Sequence, residues 1–249
     1  MKIVASIEAR SGSTRLPNKI LLEILGKPTL GLMLERLQSA SRIDEIVVAT
    51  TDNARDDAVE ALCTRMQIPC FRGSEDDVLD RVVGAVSSVG GDIVVELTGD
   101  CTLMDPALID LMVGEFMGDR SIEYLANTNP YSWPEGFDIQ IFPLANLQWV
   151  NEHVRDPAVH EHVSLYFYDI DGRYRTRNVT WEKIGKWRPH WHLSLDERAD
   201  FAVIRAIYEN LYTRNPLFTV EDVVDFLDAN PEIRKMNEQV LLKEVRIND

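Results

Sequence analysis

Positive charge is scarce in this 249-residue chain. Lysine and arginine number 26 against 41 aspartates and glutamates, a formal charge of −15. That balance excludes nonspecific attraction to nucleic acid or to an anionic membrane surface, so an anionic ligand has to be met by local cations, backbone amides or a metal. Cysteine is scarce as well. Cys63, Cys70 and Cys101 are odd in number and stand at no zinc-ligand spacing, which reads as reduced thiols, none in a nucleophile context. No apolar run approaches the roughly 18 residues of a membrane span, and MKIVASIEAR has too short an apolar core for a signal peptide. A cytoplasmic protein is expected. Neither G-x-x-x-x-G-K-[ST] nor G-x-G-x-x-G occurs, so the two familiar glycine-rich phosphate loops are absent, and there is no internal repeat.

What is present is a hydrophobic content of 45% and a length that suits one large domain with a substantial core. The first half alternates apolar runs with amphipathic stretches, the rhythm of βαβ units around a mostly parallel sheet. KIVASI, EIVVAT, PCFRG and DIVVEL read as strands. Between them, Leu30, Met33, Leu34 and Leu37 share one helical stripe, and NARDDAVEALCTRM forms the next helix. Ser74 with Asp77 reads as a capping box opening a third helix, and Asp105 as an N-cap with Pro106 at the first helical position. From about residue 121 the rhythm changes. IEYLAN, FDIQIF and YRTRNVTW read as strands, PAVHEHVSLYFY as a helix, and 121–190 as an insertion or arm rather than a second domain. The α/β rhythm returns with WHLSL as a strand, followed by helices over DERAD onward, TVEDVVDFLDA and PEIRKMNEQVLLKEV.

In an open α/β sheet, ligands bind beyond the carboxyl ends of the strands. Three loops there carry unusual residues. In EARSGSTRLPNK, Arg10, Arg15 and Lys19 surround Ser11, Gly12, Ser13 and Thr14, small residues that let backbone amides approach an anion while the cations supply charge. A solvated turn with incidental charges is the competing reading. In TGDCTLMDP, Asp100 follows an apolar strand and is placed to hold Mg²⁺ against phosphate oxygens, or else is a turn residue. In HLSLDERAD, Asp196 ends a strand with Asp200 one helical turn on, and is either a second metal ligand or a helix cap. Two acidic strand ends and a basic loop together point to a metal and polyphosphate site.

The segments IEARSGSTRLPNKIL, GDCTLMDP, PEGFDIQIF, EHV and LSLDERADF resemble, in order and along nearly the whole chain, the SpsF-like cytidylyltransferases of the spore coat polysaccharide biosynthesis type. These are relatives of the acylneuraminate and 3-deoxy-manno-octulosonate cytidylyltransferases. The resemblance implies a Rossmann-like nucleotidyltransferase domain spanning 1–249, with a dimerisation arm at about 121–190 and a homodimer. It implies transfer of CMP from CTP to a sugar acid of the nonulosonic type, with release of pyrophosphate, for surface polysaccharide or glycan synthesis. By motif match Arg10, Ser13, Arg15 and Lys19 bind the triphosphate, Ser11 and Gly12 belong to the same cradle, and Asp100 and Asp196 carry Mg²⁺. Positioned cations and the metal would then supply most of the rate enhancement, because charge builds on the α-phosphate and on the departing pyrophosphate.

Thr102 stands where the family usually has proline, a change expected to loosen the loop; Gln140 stands where an acid is common; and DERAD lacks the usual T-P-E-D segment. A phosphorylated sugar as acceptor, or a nucleotide-binding member without turnover, therefore stays open. The pairs His160/His162 and His190/His192 invite a zinc reading only on a strand, where residues two apart share a face; the first pair sits in a helical stretch, so polar pocket or interface roles are preferred. Tyr131, Trp133, Trp187 and Trp191 line either a sugar pocket or the core, and Glu135 and Asp138 contact acceptor hydroxyls or serve the turn around Gly136.

Overall fold

The computed structural model describes residues 1–168 and 172–240. Strand β1 (Ile3–Glu8) is buried on both faces, as the centre of a covered parallel sheet must be. A short hairpin of β2 (Glu23–Ile24) and β3 (Lys27–Pro28) leads into α1 (Thr29–Leu37). The alternation continues through β4 (Glu45–Thr51), α2 (Asp57–Met66), β5 (Cys70–Gly73), α3 (Val78–Ser88), β6 (Ile93–Thr98) and α4 (Pro106–Gly118). The periodicity of the first half thus marks its elements correctly. One cap differs from expectation: Asp77, not Ser74, caps α3, accepting from Asp80 N at 2.9 Å, while Ser74 Oγ accepts from Asp77 N at 3.1 Å.

The second half adds β7 (Tyr124–Ala126), β8 (Gln140–Pro143), α5 (Leu144–His153), α6 (Pro157–Glu161), α7 (Leu165–Tyr168), β9 (Thr176–Asn178), α8 (Arg198–Ile207), α9 (Val220–Ala229) and α10 (Pro231–Arg234). The main sheet runs β5-β4-β1-β6-β8-β7-β9. Strands β5, β4, β1 and β6 are mutually parallel, β8 is antiparallel to both β6 and β7, and β9 is parallel to β7. The fold is therefore a mostly parallel α/β sheet, and β7, β8 and β9, all within 121–190, are hydrogen-bonded into it. Alternate residues of β1 divide the core: Ile3, Ala5 and Ile7 pack with α1, α2, α4, α8 and α9, whereas Val4 packs with α3, α5 and α7.

Three expected elements take another form. WHLSL makes one isolated bridge, Glu135 with His192, instead of a ladder, so Asp196 follows a bridging segment and not a sheet strand. PAVHEHVSLYFY breaks at 162–164 into α6 and α7; Asp156 caps the first piece by accepting from Ala158 N. PEIRKMNEQVLLKEV stops early as α10 and a 3-10 turn over Lys235–Asn237, where the Asn237 amide donates to His192 O and Asp200 Oδ1 at 2.7 and 2.8 Å. The remainder of that stretch, 241–245, lies outside the described residues.

Candidate active site

From β1 the chain moves to β4 and β5 on one side of the sheet and then crosses to β6 on the other, a switch point where neighbouring loops diverge and leave a crevice. The basic loop fills the edge of that crevice. Its backbone is tied down from within and from β4: Ser11 N donates to the buried Asp56 Oδ1 at 2.6 Å, and Asp56 also accepts from Thr51 Oγ1. Ser13 N and Asn18 N both donate to Ser11 O, at 2.9 and 3.1 Å. Asn18 takes φ 57° and opens the 3-10 turn Lys19–Leu21, a left-handed position that asparagine tolerates. Ser13 Oγ accepts from Leu16 N. A Cβ on Gly12 would lie 2.9 Å from the Arg55 guanidinium carbon, so the loop tip rests on a second cation. Arg10 and Arg55 both reach Glu75, the former at 3.5 Å.

Lys19 ends the loop and meets both aspartates that the sequence reading assigns to a metal. Its Nζ lies 2.8 Å from Asp100 Oδ2 and 3.0 Å from Asp196 Oδ1, and Arg15 Nη2 is 2.8 Å from the same Asp196 oxygen. Burial alone would raise the Asp100 carboxyl, but the Lys19 ammonium and the Thr98 hydroxyl hold it below the usual range. Burial likewise opposes charge on Lys19, yet Asp100 and Asp196 lift it above an ordinary lysine. Lys19 and Asp100 are thus both ionised at neutral pH. Two backbone features create the meeting. Gly99 turns the chain tightly after β6, since a Cβ there would sit 2.9 Å from Glu8 O, and Leu195 N donates to Asp100 O at 2.9 Å, which brings Asp196 alongside.

The loop after β6 is not loosened by Thr102. That residue is fully buried, and its carbonyl accepts from Tyr208 Oη at 2.5 Å. The buried Arg36 donates to the carbonyls of Leu103, Met104, Pro216 and Phe218, clamping the loop to the turn before α9. Asp105 caps α4 through Ala107 N and ties in α9 through Val220 N, a structural role that matches its reading as a cap.

Beside Lys19 opens a cavity of about 310 Å³, walled by the ends of β1 and β6, by β8, by the 131–138 loop and by the break between α6 and α7. Glu135, Asp138, Gln140 and Tyr131 all line it. Tyr131 Oη donates to Asp138 Oδ2 at 3.0 Å; burial first, then the charge of Glu135, pushes Asp138 up to about 8. The aromatic candidates separate here. Only Tyr131 reaches the cavity, whereas Trp133 stacks on Trp181 at 4.7 Å in the core, Trp187 donates to Trp181 O, and Trp191 packs under Arg188 and Arg234.

Sequence reasoning overlooks two residues of this cavity and undervalues a third. Glu8 and Glu96, on neighbouring central strands, turn their carboxyls toward each other. Burial raises Glu8 to about 7, opposed chiefly by Arg81, and raises Glu96 well above the normal range, reinforced by Glu8. The available signal was an acid inside each of the apolar runs IVASIE and IVVELT. His192 is the third. Its Nδ1 lies 2.8 Å from Glu135 Oε2 and its Nε2 3.5 Å from Asp200 Oδ2, without the alignment of hydrogen bonds. Burial disfavours the charged ring, but Asp200 and Glu135 lift it to about 10, so an imidazolium joins the 135 loop to α8. His160, by contrast, has both nitrogens taken by Asp77 and Val154 O, and burial leaves His162 neutral in the cavity wall.

The constellation has the chemistry of a phosphate-transfer site: paired cations, anchored loop amides and two carboxylates converging on one point. Among the described residues no three or more metal-capable side chains cluster, so a cation here would take Asp100 and Asp196 from the protein and other oxygens from water and phosphate. That donor set fits Mg²⁺, which prefers few protein ligands and keeps several waters.

A cytidylyltransferase family model matches residues 4–135, which include the basic loop, Glu8, Glu96 and Asp100. The spore coat polysaccharide biosynthesis protein SpsF of Bacillus subtilis is 30% identical over 237 residues, covering 92% of this chain and 95% of its own. The 3-deoxy-manno-octulosonate cytidylyltransferase of Geobacter metallireducens is 37% identical over 122 residues, 49% of this chain and 47% of its own. A solved cytidylyltransferase from Leptospira borgpetersenii superposes with a TM-score of 0.89 at 31% identity, covering 98% of this chain and all of that one. Sheet order, switch-point loop and these likenesses agree, and the chain belongs to the SpsF-like cytidylyltransferase family.

Proposed function

We propose that this protein transfers CMP from CTP to a hydroxyl of a sugar acid of the nonulosonic type, with Mg²⁺, releasing pyrophosphate for surface polysaccharide or glycan synthesis in the cytoplasm. The observation that carries the reading is the Lys19 ammonium set between Asp100 and Asp196, with Arg15 on the same carboxylate. The acceptor oxygen forms a bond to the α-phosphorus, the bond from that phosphorus to the bridging oxygen of the β-phosphate breaks, and the acceptor hydroxyl passes its proton to a carboxylate of the cavity and on to water. Lys19, held charged, and Arg15 face the negative charge that grows on the phosphate oxygens. Arg10, Arg55 and the loop tip at Gly12, held in place by the Ser11 and Ser13 amide bonds on either side of it, cradle the departing end of the triphosphate. Mg²⁺ held by Asp100 and Asp196 would neutralise phosphate charge and align the chain of phosphates. The cavity beyond Lys19 takes the acceptor, and its acidic lining leaves Arg15 as the guanidinium for an acceptor carboxylate. A phosphorylated sugar, with two charges to place, fits that lining less well. A homodimer built through 121–190 belongs to the same proposal.

Pyrophosphate release from CTP and a panel of sugar acids tests it. Asp100→Asn, Asp196→Asn and Lys19→Met should each lower kcat/KM by roughly 100-fold or more while the chain stays folded. EDTA should abolish turnover and Mg²⁺ restore it. Failure of CTP to bind in a calorimetric titration, or full turnover in EDTA, would refute the reading.

A further inference from the structure

The acceptor cavity is lopsided in charge. Among the described residues Glu8, Glu96, Glu135, Asp138, Glu161 and Asp196 line it, and the lining cations are Arg15, already on Asp196, and His192, already between Glu135 and Asp200. Deep in the crevice the imbalance is sharpest. Glu96 is 5% exposed and its Oε2 has no hydrogen-bond donor, and Glu8 Oε1 is also without one. The groups packed around this pair are Arg81 and Arg10 toward Glu8, Asp100 on the Lys19 side, Ser164, whose hydroxyl meets Glu96, Tyr124, whose hydroxyl lies near Glu96 and Ser164, and Gln140, opposite Glu96 on β8. Arg81 does not line the cavity, and its Nη1 is engaged by the Ser74 and Glu75 carbonyls.

Two facing buried carboxyls are costly in an apolar sheet, because each disfavours ionisation of the other. A structural pair would be closed off by donors; this one opens onto the space that receives the acceptor. Its natural complement is a ligand cation, since an ammonium supplies three donors and one positive charge to Glu8 Oε1 and Glu96 Oε2, which have no donor among the described residues.

Resting on the reading of this cavity as the acceptor site, we infer that the acceptor carries a basic nitrogen, protonated at neutral pH, which binds between Glu8 and Glu96. The acceptor class is thus an amino-bearing polyhydroxy acid: its carboxylate lies toward Arg15, its ammonium lies at the strand pair, and Asp138, Glu135 and Gln140 meet its hydroxyls. An N-acylated or plain hydroxyl analogue presents no charge to the pair and leaves it to share protons. Binding of the ammonium also ionises the pair, so protons leave the protein as the ligand enters.

Three matched probes test this: glucosaminic acid, N-acetylglucosaminic acid and gluconic acid, titrated calorimetrically in EDTA with and without CTP and in two buffers of different ionisation enthalpy. Glucosaminic acid should bind on the order of tenfold or more tightly than either analogue, with release of about one proton at pH 7. Glu96→Gln should erase the preference and the proton release, with CTP binding retained; Glu8→Gln should weaken both. Equal or weaker binding of the amine, absence of its binding at millimolar concentration, or a preference that survives both substitutions overturns the inference. The CTP titration stands apart, since loss of CTP binding would strike the proposed activity, while amine preference in its absence would still support the pocket's charge assignment.

Discussion

Replacing Glu96 with glutamine should stabilise this protein, and by an amount that grows with pH. Glu96 sits in the centre of the sheet, and burial together with Glu8 holds its carboxyl well above the ordinary glutamate range. Its folded pKa is raised, so its favourable contribution is complete below the ordinary carboxylate range and is withdrawn as the pH climbs toward the folded value. Over that window the unfolded chain binds one proton fewer than the folded chain, and stability falls by about 1.4 kcal/mol per pH unit. Glu8 behaves the same way over a shorter interval: from 4.5 to about 7 its contribution shrinks by roughly 3 kcal/mol and then levels off. Glutamine at position 96 has no proton to retain and keeps an N–H that can donate to the Glu8 carboxylate. The variant should therefore gain on the wild type progressively as the pH rises above about 5. Urea unfolding at intervals across this range, with the slope m checked for constancy, measures the difference. Parallel stability profiles for the two proteins, or a loss in the variant independent of pH, would show that Glu96 is not a buried, proton-retaining acid.

Two further substitutions probe the walls of the site. Gly136 takes φ 101°, and a Cβ there would lie 2.5 Å from the Leu193 carbonyl carbon, so Gly136→Ala should cost roughly 2–4 kcal/mol, read as a fall in Tm of several degrees; an unchanged Tm would mean that the 135 loop does not pack this closely on the segment leading to Asp196. Asp56→Ala, which removes the acceptor of both the Ser11 amide and the Thr51 hydroxyl, should weaken CTP binding by roughly tenfold because the loop loses its anchor, and unchanged CTP affinity would remove Asp56 from any part in shaping the loop.

The elements of the first half were legible because each reports its burial locally. Strands such as EIVVAT are apolar on both faces, and helices such as α3 repeat at 3.6 residues. The same logic misled at WHLSL, whose apolar pattern looks like a strand while its hydrogen bonds go singly to Glu135 and Asp100. It misled again at PAVHEHVSLYFY, where helical periodicity runs through a break at 162–164 that bends the chain over the cavity. Residue types alone also made Thr102 look like a weak point, although the clamp that removes the weakness comes from Arg36 and Tyr208, far away in the chain.

The order of strands and helices, the acidic balance and a cation-rich loop behind the first strand were determined by the sequence itself, through composition and short-range spacing. So were the candidates Lys19, Asp100 and Asp196. Their convergence within hydrogen-bonding distance was decided only by tertiary structure, because it depends on a turn at Gly99 and one backbone bond from Leu195 to Asp100. The pairing of Glu8 with Glu96 belongs to the same class. Their separation of 88 positions carries no local signal, and only the pairing of β1 with β6, which sets Glu8 beside Thr98 and Glu96 beside Ser6, brings the two acids onto one face as diagonal neighbours.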